Sequence, residues 1–181
     1  MAAGATVFRF SIGLSLVERG VYQSLELRVA QHPSESQRFL LGRVIGYCLF
    51  WEDGLEFGRG ISTQEEPAAW LRDVHGRTRL WLEVGQPSAE RLHRASKSAD
   101  RVALVTYGAP DWIARELGGA VIHRAEKLEI VRLDAALLDA LAARLERSVR
   151  WELVESGDRL YVTVGADTLE GALERPTLAA R

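Results

Sequence analysis

Near the N-terminus Phe8, Phe10, Ile12, Leu14 and Leu16 alternate with Arg9, Ser11, Gly13 and Ser15. A period of two belongs to a strand with one buried face. After Gly20, Leu25, Leu27 and Val29 alternate against Glu26 and Arg28, so the two stretches predict a hairpin. The period then changes. In "HPSESQRFLLGRVIGYCLFW", Leu41, Val44, Ile45 and Cys48 recur at helical spacing. Pro33 suits a helix start, Ser34 and Gln37 have the spacing of a capping box, and Glu35 falls in the first turn beside the helix dipole. Gly42 and Gly46, four apart, let that helix approach its neighbour closely.

Further along, "LEFGRG" predicts a short strand, "EEPAAWLRD" a short helix begun at Pro67, and "RTRLWLEV" a strong strand. "QPSAERLHRASKSAD" predicts a helix with Ala89, Leu92, Ala95 and Ala99 inward. "RVALVTYG" is a near-continuous apolar run, as in a strand covered on both faces. A helix from Pro110, a strand "KLEIVRLD", a helix "AALLDALAARLERS" and a strand pair about Gly157 and Asp158 complete the pattern. Residues from about 165 onward look loosely ordered. The whole chain, 1–181, predicts a single α/β (α+β) domain with a mixed central sheet flanked by helices.

Composition narrows the classes. The chain is 47% hydrophobic and 27% charged, so it is an ordinary globular sequence. A net charge of -2 and a pI near 6.1 exclude an overall basic nucleic-acid binder, though not a local basic face. A single cysteine, Cys48, excludes an intrachain disulfide and a Cys-rich zinc site. No apolar run is long enough to span a membrane, and the N-terminal alternation is unlike a signal peptide, so the expected location is cytoplasmic. His32, His75, His93 and His123 lack ligand spacing, and no glycine-rich phosphate loop is present. Ser62, Ser88 and Ser96 have no nucleophile-elbow context.

The chemistry-bearing candidate is "DVHGRTRLWLEVG". With a turn near Thr78, Asp73 and Glu83 face each other about 5 Å apart, where they repel unless a divalent cation lies between them. With a turn at His75 and Gly76, Glu83 lies roughly 17 Å away and the two share nothing. The pattern leaves both registers open. Arg91, Arg94 and Lys97 follow three apart on one helical ridge, either a solvated face or a phosphate-facing one. Glu52, Asp53, Glu56, Glu65 and Glu66 form an acidic stretch of the kind that is most often solvated surface.

The order and spacing of "HPSES", "WEDGLEFGRG", "EEPAAWLRD", "LWLEVGQPSAERLHRAS" and "VTYG" resemble the YaeQ family of small bacterial proteins. That family is similar in fold to the PD-(D/E)XK, restriction-endonuclease-like nucleases, here with an added N-terminal hairpin. The resemblance implies Asp73, Glu83 and the carbonyl of Val84 as ligands of a weakly bound Mg²⁺ or Mn²⁺, and Glu35 as the acid of the first helix. Where those nucleases carry a lysine, two residues after the second acid, this chain has Gly85. YaeQ-like sequences tend to carry a basic residue at Arg94. Arginine is a poor base but clamps phosphate, and Lys97 is the alternative base. Two functions are therefore expected in competition. One is a metal-dependent nuclease-like phosphodiesterase. The other is a catalytically silent module of the same fold that binds nucleic acid or a protein partner. A structural scaffold with a small ligand is a weaker third.

Overall fold

The computed structural model describes residues 4–60 and 65–179. Among these, the strands form one ten-stranded mixed sheet, ordered β2-β1-β8-β9-β10-β7-β6-β5-β4-β3. The strands are β1 (Thr6–Leu16), β2 (Val21–Gln31), β3 (Glu56–Phe57), β4 (Ala69–Arg72) and β5 (Thr78–Val84), then β6 (Ala99–Thr106), β7 (Glu129–Leu133), β8 (Ser148–Ser156), β9 (Arg159–Val164) and β10 (Asp167–Glu174). The helices are α1 (Gln37–Leu49), α2 (Ala89–Ser98) and α3 (Ala135–Ala142). β1/β8, β5/β6 and β6/β7 run parallel, and the other neighbours antiparallel. The mixed α+β architecture and the β1–β2 hairpin agree with the pattern of the sequence.

Alternation along the central strands divides the interior in two. Leu80, Leu82, Val84, Ala103 and Val105 join the core under α1 and α3. Val102, Leu104 and Ile130 point the other way, beneath Leu92 and Ala95 of α2. α1 is buried along nearly its whole length, from Leu40 to Leu49, with one charged member, Arg43. Gly42 makes that depth possible: a Cβ there would stand 2.9 Å from Val84 Cγ1 and 3.1 Å from Tyr107 Cε1. Alanine gains about 1 kcal/mol of helix propensity over glycine, against an overpacking cost of about 1–3 kcal/mol. Gly42→Ala should thus be net destabilising by about 1 kcal/mol, read from urea unfolding; a stabilised variant would show that α1 can shift freely on β5.

Five local expectations are corrected. Residues 69–72 form strand β4, not a helix begun at Pro67, because Trp70 sits directly opposite Trp81 of β5 and β4 pairs on its other side with β3. α1 is capped by Ser36, whose hydroxyl accepts from the Phe39 N–H, so Pro33, Ser34 and Glu35 all precede the helix. Past Pro110 only a single π-helical turn forms, Ile113–Leu117, and α3 stops at Ala142. The stretch from 165 is not a loose tail: β10 occupies the middle of the sheet, pairing with β9 and, through Leu173 and Glu174, with β7. No helix among the described residues is long and apolar enough to cross a membrane.

Candidate functional site

The register of β4 and β5 answers the question raised by the two acids. The turn lies at 74–76, closed by Gly76 in the left-handed region. Asp73 holds that turn itself: its Oδ1 accepts from the His75 N–H at 2.9 Å and the Arg77 N–H at 3.0 Å, and its backbone N–H donates to the Arg77 carbonyl. Glu83 stands six residues beyond Arg77, about 20 Å along the strand. The structure does not bring Asp73 and Glu83 together, and a shared ion between them is set aside. Asp73 is an Asx-type turn residue.

Glu83 instead meets other groups. It is 4% exposed, on the α2-facing side of β5. Its Oε1 accepts from Trp81 Nε1 at 2.6 Å and from Arg91 Nε at 2.7 Å. Arg91 rises from the first turn of α2, whose Ser88 cap accepts its backbone N–H, and its Nη2 donates to the Glu66 carbonyl at 2.8 Å. Glu66 closes the other side, its carboxylate taking three hydrogen bonds from the backbone and guanidinium of Arg59. Glu66, Glu83, Val84, Gln86 and Arg91 line one cleft of about 250 Å³, with Phe39, Arg43 and Pro67 among its other walls. Below it Arg43 Nε donates to Glu35 Oε1 at 2.7 Å, both side chains within 2% of complete burial. Glu35 also accepts from the His32 N–H, so it works as an internal partner, not a helix-dipole charge.

The other expected residues lie outside the cleft. Arg94 is 70% exposed, 3.6 Å from Glu90, on a neighbouring groove. Lys97 is exposed and lines neither. Ser62 lies outside the described residues. Burial pushes the Cys48 thiol up, leaving it a packing residue. What the sequence reading missed is Glu66, grouped with solvated acids. An acid and a proline just before a strand are the available signal, hidden by reading 67–73 as a helix.

The two cleft acids are pushed apart. Burial raises the Glu83 carboxyl above the ordinary 4.5, opposed by Trp81 and Arg91, whereas hydrogen bonds from Arg59 lower Glu66. The two shifts have separate causes, burial at Glu83 and the Arg59 pair at Glu66. A carboxyl with a raised folded pKa binds protons more readily when folded. Its contribution to stability is complete below 4.5 and is lost as pH rises through the folded value. Relative to Glu83→Gln, the wild type should therefore lose stability from pH 4.5 toward neutrality, measured as unfolding midpoints across pH. Arg91→Met should move that loss to higher pH, since the Arg91 charge lowers Glu83; a pH-independent difference would contradict the assignment.

A divalent cation fits the donors here in kind. Two carboxylates line the cleft, Glu66 already holding Arg59 and Glu83 holding Trp81 and Arg91 through Oε1. Ladder alternation turns the Val84 carbonyl the same way as that of Leu82, which accepts from Ala68. All are oxygen ligands, suited to a hard cation that keeps several waters. Among the described residues, no three His, Cys, Asp or Glu side chains converge on one point. Such an ion would be held by two side chains at most.

Comparison with known proteins decides the family. The family model described as "YaeQ protein" matches residues 1–173. The chain belongs to the YaeQ family. It is 34% identical over 109 residues to "Uncharacterized protein YaeQ" of Escherichia coli K12 and, equally, of Shigella flexneri. The chain spans 60% of the length of these curated relatives. The crystal structure of the YaeQ protein from Xanthomonas axonopodis pv. citri superposes with a TM-score of 0.86 at 30% identity, covering 97% of this chain and 99% of the other. That from Pseudomonas syringae gives 0.86 at 30% identity, covering 96% of both. The YaeQ fold thus extends over the sheet and both helical layers.

Proposed function

We propose that this YaeQ-family chain is a nuclease-like phosphodiesterase of the PD-(D/E)XK type, working with weakly bound Mg²⁺ or Mn²⁺ in the cytoplasm. The observation that carries this is the meeting of Glu83, Glu66 and Arg91 in one cleft at the end of β5. Glu83, Glu66 and the Val84 carbonyl would hold the cation. Bound there, it supplies Lewis acidity and a water acidified toward neutral pH. Arg91 supplies a permanently charged donor for a non-bridging phosphate oxygen. Arg59 keeps Glu66 ionised, and Trp81 fixes the rotamer of Glu83 through its N–H.

One observation favours a catalytically silent module that only binds its partner. Gly85, at the motif's lysine position, has φ +93 and lies against the Phe39 ring, a conformation that disfavours a side chain. Among the described residues, no lysine lines the cleft. Hydrolysis of bis(p-nitrophenyl) phosphate separates the two readings. The enzyme requires turnover with Mg²⁺ or Mn²⁺ that chelation abolishes; a highly purified protein with no metal-dependent turnover is silent.

A further inference from the structure

Beside the cleft, and joined to it through Arg91, lies a second groove of about 440 Å³, formed by Glu65, Trp81, Arg91, Arg94, Ala95 and Ser98. Its composition is unusual for a solvated helix edge. A partly exposed indole forms one wall, and two guanidiniums stand on the helix opposite. The indole is doubly fixed. Trp81 Nε1 donates to Glu83, and the ring meets Trp70 edge-on, centroids 6.2 Å apart at 82°. The stripe continues along the sheet, where the Arg72 guanidinium lies 4.2 Å from the Trp70 ring centroid. Trp81 packs against the core beneath α2, yet neither it nor Trp70 is fully buried, so part of each indole stays open beside the arginines.

From this we infer that the groove receives a nucleotide of single-stranded nucleic acid, its base against Trp81 and its backbone phosphate on Arg94. The inference names the substrate of the cleft and rests on the cleft's reading as a phosphodiester site. A rigid aromatic ring beside cations is the minimal unit by which single strands are held without sequence preference. A base reaches such a ring only when it is free of a duplex stack. Glu65 stands on the rim, while Arg91 is paired with Glu83 and Arg94 with Glu90. Arg94 reaches its Glu90 neighbour at only 3.6 Å and in solvent, so a phosphate displaces that contact at small cost.

The test is fluorescence anisotropy of a labelled twelve-nucleotide oligo-dT, and of the matching duplex, with the full chain in chelator so that nothing is cleaved. The single strand should bind at least about ten-fold tighter than the duplex. Trp81→Leu should weaken it about ten-fold or more, as expected for loss of one stacked base. Trp81→Phe, which keeps a ring but loses the N–H, should stay within about three-fold. Arg94→Gln, at an exposed position that does not threaten folding, should flatten the salt slope by about 0.7. Equal or tighter duplex binding overturns the inference. So does a Trp81→Phe loss as large as that of Trp81→Leu, which would trace the effect to Glu83. Wild-type affinity in both Trp81→Leu and Arg94→Gln overturns it too. Absence of binding to either oligonucleotide overturns it in favour of a protein partner. Hydrolysis of bis(p-nitrophenyl) phosphate does not use the groove, so failure there removes the catalytic reading without touching this result.

Discussion

Arg43→Ala should destabilise the protein by about 3–5 kcal/mol, among the largest effects of any single substitution, because it leaves the Glu35 carboxylate buried without its partner. Arg43 gives Nε to Glu35 and Nη2 to the carbonyl of Ala30 at 2.7 Å, so it ties α1 to the end of β2. Arg38 and Asp139 offer the control. Their bidentate pair is comparably short, but both side chains are about half exposed. Water screens that pair and solvates whichever partner is left, so Arg38→Ala should cost far less than Arg43→Ala. Replacing both Glu35 and Arg43 with apolar residues of similar volume should recover much of the loss, since no charge is then stranded. Chemical denaturation of the four proteins tests this. Equal costs for Arg43→Ala and Arg38→Ala would show that water reaches Glu35.

The largest effect on activity is expected from Glu83→Gln. The amide keeps the shape and can still accept from Trp81, but it removes the negative charge that faces Arg91 and the proposed cation. Metal-dependent turnover of bis(p-nitrophenyl) phosphate should fall by at least about 100-fold, the scale for losing one preorganised electrostatic group. Glu66→Gln should reduce kcat in the same direction. Lys97→Ala should leave kcat within about two-fold, because this residue lies outside the cleft and no proton transfer of the usual 10²-fold or greater benefit is assigned to it. Loss of turnover in Lys97→Ala with wild-type values in Glu83→Gln would relocate the site to the exposed ridge of α2.

How much of this was legible in the sequence depended on the range of the contacts involved. The β1–β2 alternation and the continuous apolar run of β6 are local patterns and translate directly into burial. Gly42 and Gly46 signalled a close helix approach for the same reason. β4 was misread because four residues between a proline and a turn carry too little periodicity, and its identity comes from Trp70 meeting Trp81 across the sheet. β10 was missed because its partners lie on β9 and on β7, the second about forty positions earlier in the chain. The site followed the same logic. Glu83 was visible as an acid on an apolar strand. Its partners were not, because Glu66 reaches the cleft only after β4 folds onto β5. Asp73 was drawn in by a register that a single turn residue, Gly76, decides the other way.

Calorimetric titration with Mn²⁺ addresses the central assignment most directly, comparing the wild type with Asp73→Asn and Glu83→Gln. Asparagine retains the oxygen that accepts from His75 and Arg77, so Asp73→Asn keeps the turn while removing its charge. The expected result is weak binding with equal heat in wild type and Asp73→Asn, and no heat in Glu83→Gln. Binding that survives in Glu83→Gln but disappears in Asp73→Asn would contradict the placement of the site at the end of β5.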